Sequence, residues 1–166
     1  MTPLDSKRGR LKKLLMIAGP VLIADQASKA LVVRLMPLFD SIEMIPGFFS
    51  LTHIKNPGGA FGFMANSPPG VRLFVFIFVS IVALFFILHM YLKTPGRRPL
   101  FSSGLALVFG GALGNIADRV RFGEVTDFFD FYLKNAHWPA FNVADASIVV
   151  GVSIVAWHLL FKKDAF

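Results

Sequence analysis

Three short polar groups interrupt apolar stretches of this sequence, and each contains a carboxylate. Asp25-Gln26-x-Ser28-Lys29 sets an acid and a base inside one long apolar run. Gly114-Asn115-x-x-Asp118-Arg119 crowds an amide, an acid and a guanidinium at the end of another, and Phe141-Asn142-x-Ala144-Asp145 opens a further one. Ionisable groups at membrane depth are costly and usually functional. Each group also has a plain structural reading. Asn142 is a good helix N-cap with Asp145 suited to the positive helix terminus, Asp118 and Arg119 can form an interfacial ion pair, and Asp25 and Lys29, four apart, can satisfy one another. Together they say more. Asp118, Asp127 and Asp145 are expected near one face of a membrane, beside Asn56, Asn115, Asn142 and Arg119. Carboxylates converging at an apolar-walled site are the material of acid–base catalysis. Two held close share one proton, because like charges at short range cannot both ionise cheaply. One then activates a water while the other protonates a carbonyl or leaving group.

Other chemistries fit the residues poorly. The absence of cysteine removes thiol nucleophiles, disulfides and cysteine-ligated metal. His53, His89, His137 and His158 form no His-Glu-x-x-His pattern, so no metal is expected. Ser28 and Lys29 are helix neighbours pointing in different directions, which disfavours a Ser–Lys pair. There is no Gly-x-Ser-x-Gly elbow and no glycine loop ending in Lys-Ser or Lys-Thr.

The elements that must position these groups are membrane helices. Hydrophobic residues make up 55% of the chain and charged ones 16%, with a mean hydropathy of +0.63, whereas soluble domains carry about 25% charge. Four apolar stretches approach the roughly 20 residues that a helix needs to cross a bilayer, at about 14–36, 71–92, 100–117 and 143–161. The first is too long, and too interrupted by Asp25 and Lys29, for a cleaved leader. The net charge of +7 does not imply nucleic acid. Ten of the seventeen Lys and Arg flank apolar stretches, at Lys7–Lys13, Lys93–Arg98 and Lys162–Lys163. The positive-inside rule then puts both termini in the cytoplasm and the segments 37–70 and 118–142 outside. The first outer segment is broken by prolines and glycines, and Ser50–Lys55 alternates polar and apolar residues as a half-buried strand does. Val125–Tyr132 is expected to join it. The fold class is therefore a mainly α membrane protein of four transmembrane helices with a small extracytoplasmic β-rich element, forming one domain over 1–166. Gly104, Gly110, Gly111 and Gly114 on the third span read as close helix packing.

Five blocks resemble lipoprotein signal peptidase, also called signal peptidase II. They are Asp25-Gln26-x-Ser28-Lys29, Asn56-x-Gly58-x-Ala60-Phe61, Gly111-x-x-Gly114-Asn115-x-x-Asp118-Arg119, Val125-x-Asp127-Phe128 and Phe141-Asn142-x-Ala144-Asp145. Any one block is weak, but five in order across nearly the whole chain make a specific match. The resemblance implies an aspartic endopeptidase of the bacterial inner membrane, with its site near the outer face. It implies a prolipoprotein substrate bearing diacylglycerol on the cysteine that follows its signal peptide, cut just before that cysteine. It assigns the catalytic pair to Asp127 and Asp145, a choice among the acids that composition and spacing do not make. It gives Asn56, Gly58, Asn115, Arg119 and Asn142 to substrate binding or its support, and Asp25 and Asp118 to support. No cofactor or metal is expected, the partners are the lipid-modified substrate and membrane lipids, and a monomer is expected. Two rival functions frame the test. A proton-conducting transporter would spread Asp25, Asp118 and Asp145 through membrane depth, and a scaffold would use Gly110-x-x-x-Gly114 as a dimer face and leave the acids without a task.

Overall fold

The structure, a computed structural model, describes residues 7–59, 63–64 and 66–161. Within them the chain is mainly helical, with four helices long and apolar enough to cross a membrane and a small antiparallel sheet. The helices are α1 (Lys7–Leu35), α2 (Pro69–Lys93), α3 (Pro99–Phe122) and α4 (Val143–Phe161), and the strands are β1 (Ser41–Ile45), β2 (Phe49–Asn56), β3 (Val125–Leu133) and β4 (Ala136–His137).

The helix ends show what the apolar runs could not. α1 begins within the basic arm because the arm's side chains have carbonyls to bond. Arg10 Nη1 donates to the carbonyls of Leu92 and Thr94 at 2.6 and 3.1 Å. Lys13 Nζ donates to the Pro99 carbonyl at 3.2 Å and to Ser102 Oγ at 2.8 Å. Arg10 thereby meets carbonyls at the C-terminus of α2, easing both their hydrogen-bond deficit and the helix dipole, and Lys13 ties α1 to the first turn of α3. α3 runs five residues beyond the predicted 117, to a left-handed cap at Gly123 (φ 77°) whose N–H bonds the Arg119 carbonyl. Asp118 and Arg119, placed by sequence at the start of an outer segment, therefore ride on helix.

α3 is the central helix, touching each of the other three. Its glycines make that possible. A Cβ on Gly110 would strike Ala18 of α1, one on Gly111 would strike the Ala144 carbonyl of α4, and one on Gly114 would strike the Asp25 carboxylate. α2 is different. Its most apolar stretch has a mean hydropathy of 2.9 and buries none of its residues in the protein. Phe74, Phe78, Phe85 and Phe86 stand exposed along it, a surface that suits lipid and not water.

The sheet has the order β1-β2-β3-β4. Strands β2 and β3 are close to the predicted ones; β1 and β4 were not foreseen, because β1 is exposed at every residue and β4 has two residues. The register sets Ile54 opposite Asp127 and Asn56 opposite Val125, with an irregularity between Leu51 and Ile54. Val32, Met36 and Phe128 pack together with Leu51, Phe129 and Val143, which fastens the sheet to the ends of α1 and α4. His53 adds a bond of 2.9 Å between its Nδ1 and the Met36 carbonyl.

Candidate active site

Every site residue proposed from sequence lies at the sheet end of the bundle. Asp25 is on the later part of α1, Asn115, Asp118 and Arg119 are on the last turns of α3, Asp127 is on β3, and Asp145 is in the first turn of α4. Asn56 ends β2, with Gly58 just beyond it. Ala60 and Phe61, which complete that block, lie outside the described residues.

Asn142 holds the centre. Completely buried, it forms a reciprocal cap on α4: its Oδ1 accepts from the Asp145 N–H at 2.9 Å, and Asp145 Oδ2 accepts from the Asn142 N–H at 3.2 Å. The capping reading is thus correct, and it does not compete with a functional one. The same Asn142 donates through Nδ2 to Asp127 Oδ1 at 2.7 Å, to the Thr126 carbonyl at 3.3 Å and to Asn115 Oδ1 at 3.2 Å. One residue therefore bonds both Asp127 and Asp145. Asn56 Nδ2 donates to Asp127 Oδ2 at 2.9 Å, and Asn115 Nδ2 donates to Asp145 Oδ1 at 2.8 Å. The antiparallel register explains the Asn56 contact. Asn56 is two residues along from Ile54, so it meets Asp127 as a diagonal neighbour on the same sheet face.

The N–H groups that meet the Asp127 and Asp145 carboxylates are thus neutral. Burial pushes the Asp127 carboxyl up to about 7, and the negative charge of Asp145 adds to the rise; the bonds from Asn56 and Asn142 and the charge of Lys29 oppose it. Near neutral pH this carboxyl is close to half protonated.

A second pair of acids sits behind the first. Lys29 Nζ bonds Asp25 Oδ2 at 2.9 Å and Asp118 Oδ2 at 3.1 Å, and donates to Asn115 Oδ1 at 3.0 Å. Asp25 Oδ1 accepts the Ala144 N–H at 2.9 Å, giving α4 a second cap from another helix. Asp118 Oδ2 accepts the Thr126 N–H at 3.2 Å, and Gln26 Nε2 bridges Asp118 Oδ1 and Asp25 Oδ2 at 2.9 and 3.1 Å. The Asp25–Lys29 pairing is thus present and widened to Asp118 and Asn115, whereas no Asp118–Arg119 ion pair forms among the described residues. Arg119 instead donates Nη2 to the Gly58 carbonyl at 3.0 Å and lies 4.7 Å over the Phe76 ring. Sequence reasoning left Lys29, Gln26 and Thr126 out of the site; a lysine deep in a span was the available signal for the first. Thr126 enters through its backbone, which no side-chain pattern reports. Among the described residues no group of three His, Asp or Glu is arranged to hold a metal.

Buried carboxylates gathered at one end of four membrane-length helices are the arrangement that a membrane aspartic peptidase needs. Residues 17–161 match the family described as Signal peptidase (SPase) II, and the chain belongs to that family of aspartic peptidases. It is 49% identical over 153 residues to the lipoprotein signal peptidase of Desulforapulum autotrophicum, covering 92% of this chain and 94% of the relative. It is 51% identical over 142 residues to that of Geobacter sulfurreducens, covering 86% and 88%. A bacterial membrane enzyme solved by the in meso method at 2.3 Å superposes with a TM-score of 0.81 at 33% identity, covering 90% of this chain and 88% of that one.

Proposed function

We propose that this peptidase removes the signal peptide from diacylglyceryl-modified prolipoproteins, cutting just before the lipidated cysteine, with Asp127 and Asp145 activating a water between them. The observation that carries the reading is the bonding of both acids by Asn142, with burial keeping a proton on Asp127 near neutral pH. In this reading Asp145, as the carboxylate, takes a proton from the water as it attacks the scissile carbonyl, while Asp127 gives its proton to the carbonyl oxygen. As the C–N bond then breaks, Asp145 passes its proton to the leaving amine and Asp127 recovers one from a hydroxyl of the tetrahedral intermediate. Asn56, Asn115 and Asn142 hold the acids, and Arg119 and Gly58 meet the peptide. Asp25 and Asp118 support the frame.

Sidedness follows from charge. The basic arm and the Lys93–Arg98 turn lie together at the end opposite the site, as the bonds of Arg10 and Lys13 require. The positive-inside rule assigns that end to the cytoplasm, so the site faces outward from the bacterial inner membrane with both termini inside. A monomer suffices, because all the residues named come from one chain. Exposed apolar faces such as that of α2 let a lipid-bearing substrate approach through the bilayer.

The test is Asp127→Asn and Asp145→Asn, each followed by the fate of lipid-modified precursor on a gel. Both variants should stay in the membrane and lose cleavage by at least about a thousand-fold, within the range of acid–base catalysis. Full processing by both would remove the reading.

A further inference from the structure

An asparagine amide has two ends of nearly equal shape and opposite hydrogen-bonding sense, so its orientation is set by its neighbours. Three such amides hold the acids of the site, and each must present its NH₂ to a carboxylate. For two of them a backbone N–H, which can only donate, decides the matter. Asn142 Oδ1 is held by the Asp145 N–H at 2.9 Å, and Asn56 Oδ1 by the Gly58 N–H at 3.0 Å. Asn115 is oriented differently. Its Oδ1 accepts instead from Lys29 Nζ at 3.0 Å and more distantly from Asn142 Nδ2 at 3.2 Å, while its Nδ2 donates to Asp145 Oδ1 at 2.8 Å.

An ammonium is also an obligate donor. Charge balance does not require this third bond, because Asp25 and Asp118 already give Lys29 two carboxylates. A buried ammonium does need compensation, but a neutral amide adds little to it. What the third bond supplies is direction. With the Asn115 oxygen facing Lys29, its NH₂ end must face Asp145, and Asp145 Oδ1 is kept an acceptor. Its other oxygen already meets the Asn142 N–H at 3.2 Å.

We infer that Lys29 is a positioning residue for the reaction: through Asn115 it holds Asp145 as the acceptor of the pair, the task that backbone N–H groups perform for Asn142 and Asn56. The inference rests on the reading of Asp127 and Asp145 given above. It requires Lys29 to act on turnover through one intermediary, and not merely to balance two acids.

The test uses the full-length protein in detergent micelles with a synthetic diacylglyceryl-modified precursor peptide. Lys29→Met should lower kcat by roughly 10- to 100-fold and leave KM within about twofold, because Lys29 touches no substrate. Lys29→Gln, which keeps an N–H donor for the Asn115 oxygen, should lose less. In an Asn115→Ala background, Lys29→Met should change kcat by less than about threefold, since the intermediary is gone. Full additivity in that background overturns the inference, as does a raised KM with kcat unchanged. Loss of the fold in both Lys29 variants, followed by thermal denaturation, also overturns it, because Lys29 would then serve the fold alone. Asp145→Asn in the same assay keeps the two claims apart. An active Asp145→Asn enzyme sinks the aspartate reading, whereas an inactive one with an unaffected Lys29→Met enzyme sinks only the inference.

Discussion

Two pairs of buried carboxylates lie side by side at one end of this bundle, and they are held in opposite ways. Asp25 and Asp118 share an ammonium at 2.9 and 3.1 Å. Asp127 and Asp145 share Asn142, whose side-chain amide meets the first and whose backbone N–H meets the second, with the amides of Asn56 and Asn115 on their remaining oxygens. An ammonium bonded to two acids ties them together, and such a pair is a fixture that caps α4 through the Ala144 N–H and holds β3 through the Thr126 N–H. Neutral donors orient a carboxylate without cancelling its charge, so burial and mutual repulsion can keep a proton on Asp127 near pH 7. Four acids within a few residues' reach are thus divided between frame and chemistry by what lies between them.

The largest way to break this contrast is to give the amide pair a cation. Asn56→Lys should place an ammonium beside Asp127, strip its proton at neutral pH, and cut cleavage at pH 7 by about 100-fold or more. Rate against pH should show the optimum moved to the acid side. Asn142→Ala removes the side-chain amide that bonds Asp127 and caps α4, and keeps the backbone N–H that meets Asp145. It should cost about 1–2 kcal/mol through the lost cap and roughly 100-fold in kcat, read by thermal denaturation and by precursor cleavage.

The sequence made the four spans legible because apolar runs of membrane length allow few other structures, and the alternation at Ser50–Lys55 was enough for β2. It could not divide the acids. Asp118 and Asp127 are both followed within a residue or two by aromatic or basic neighbours, and nothing in their spacing says that one meets Lys29 and the other Asn142. That choice depends on the β2–β3 register and on the extra turns of α3, which are tertiary facts. β1 was hidden for another reason: a short strand exposed at every position has no burial pattern to read. Asn142 shows the converse, a residue whose capping signal was plain and whose contact with Asp127 lay fifteen residues away.

Smaller changes sharpen the comparison. Asn56→Ala removes one donor that favours ionised Asp127, so the alkaline limb of the rate profile should move up by roughly one pH unit, the scale of a hydrogen bond to a charged group. The sign is fixed: losing a bond to the charged form raises the carboxyl further above its ordinary value. The same displacement ties stability to pH. A carboxyl raised on folding contributes stability in full below about 4, and that contribution is lost as pH rises through about 7. Thermal unfolding in detergent should therefore show a midpoint falling between pH 5 and pH 8, with the slope reduced in Asp127→Asn. Least of all should chelation matter. With no cluster of metal-ligating side chains among the described residues, EDTA should leave the cleavage rate unchanged.

The central claim is that burial, with the negative charge of Asp145 adding to it, keeps a proton on Asp127 near neutral pH. Infrared difference spectra of the purified protein, titrated from pH 5 to pH 9, follow the protonated carboxyl band directly. A band that disappears with a midpoint near 7, is missing in Asp127→Asn, and titrates lower once Asp145→Asn removes the neighbouring charge is the predicted result. A carboxyl fully ionised by pH 5, or one that titrates identically with and without Asp145, would contradict it.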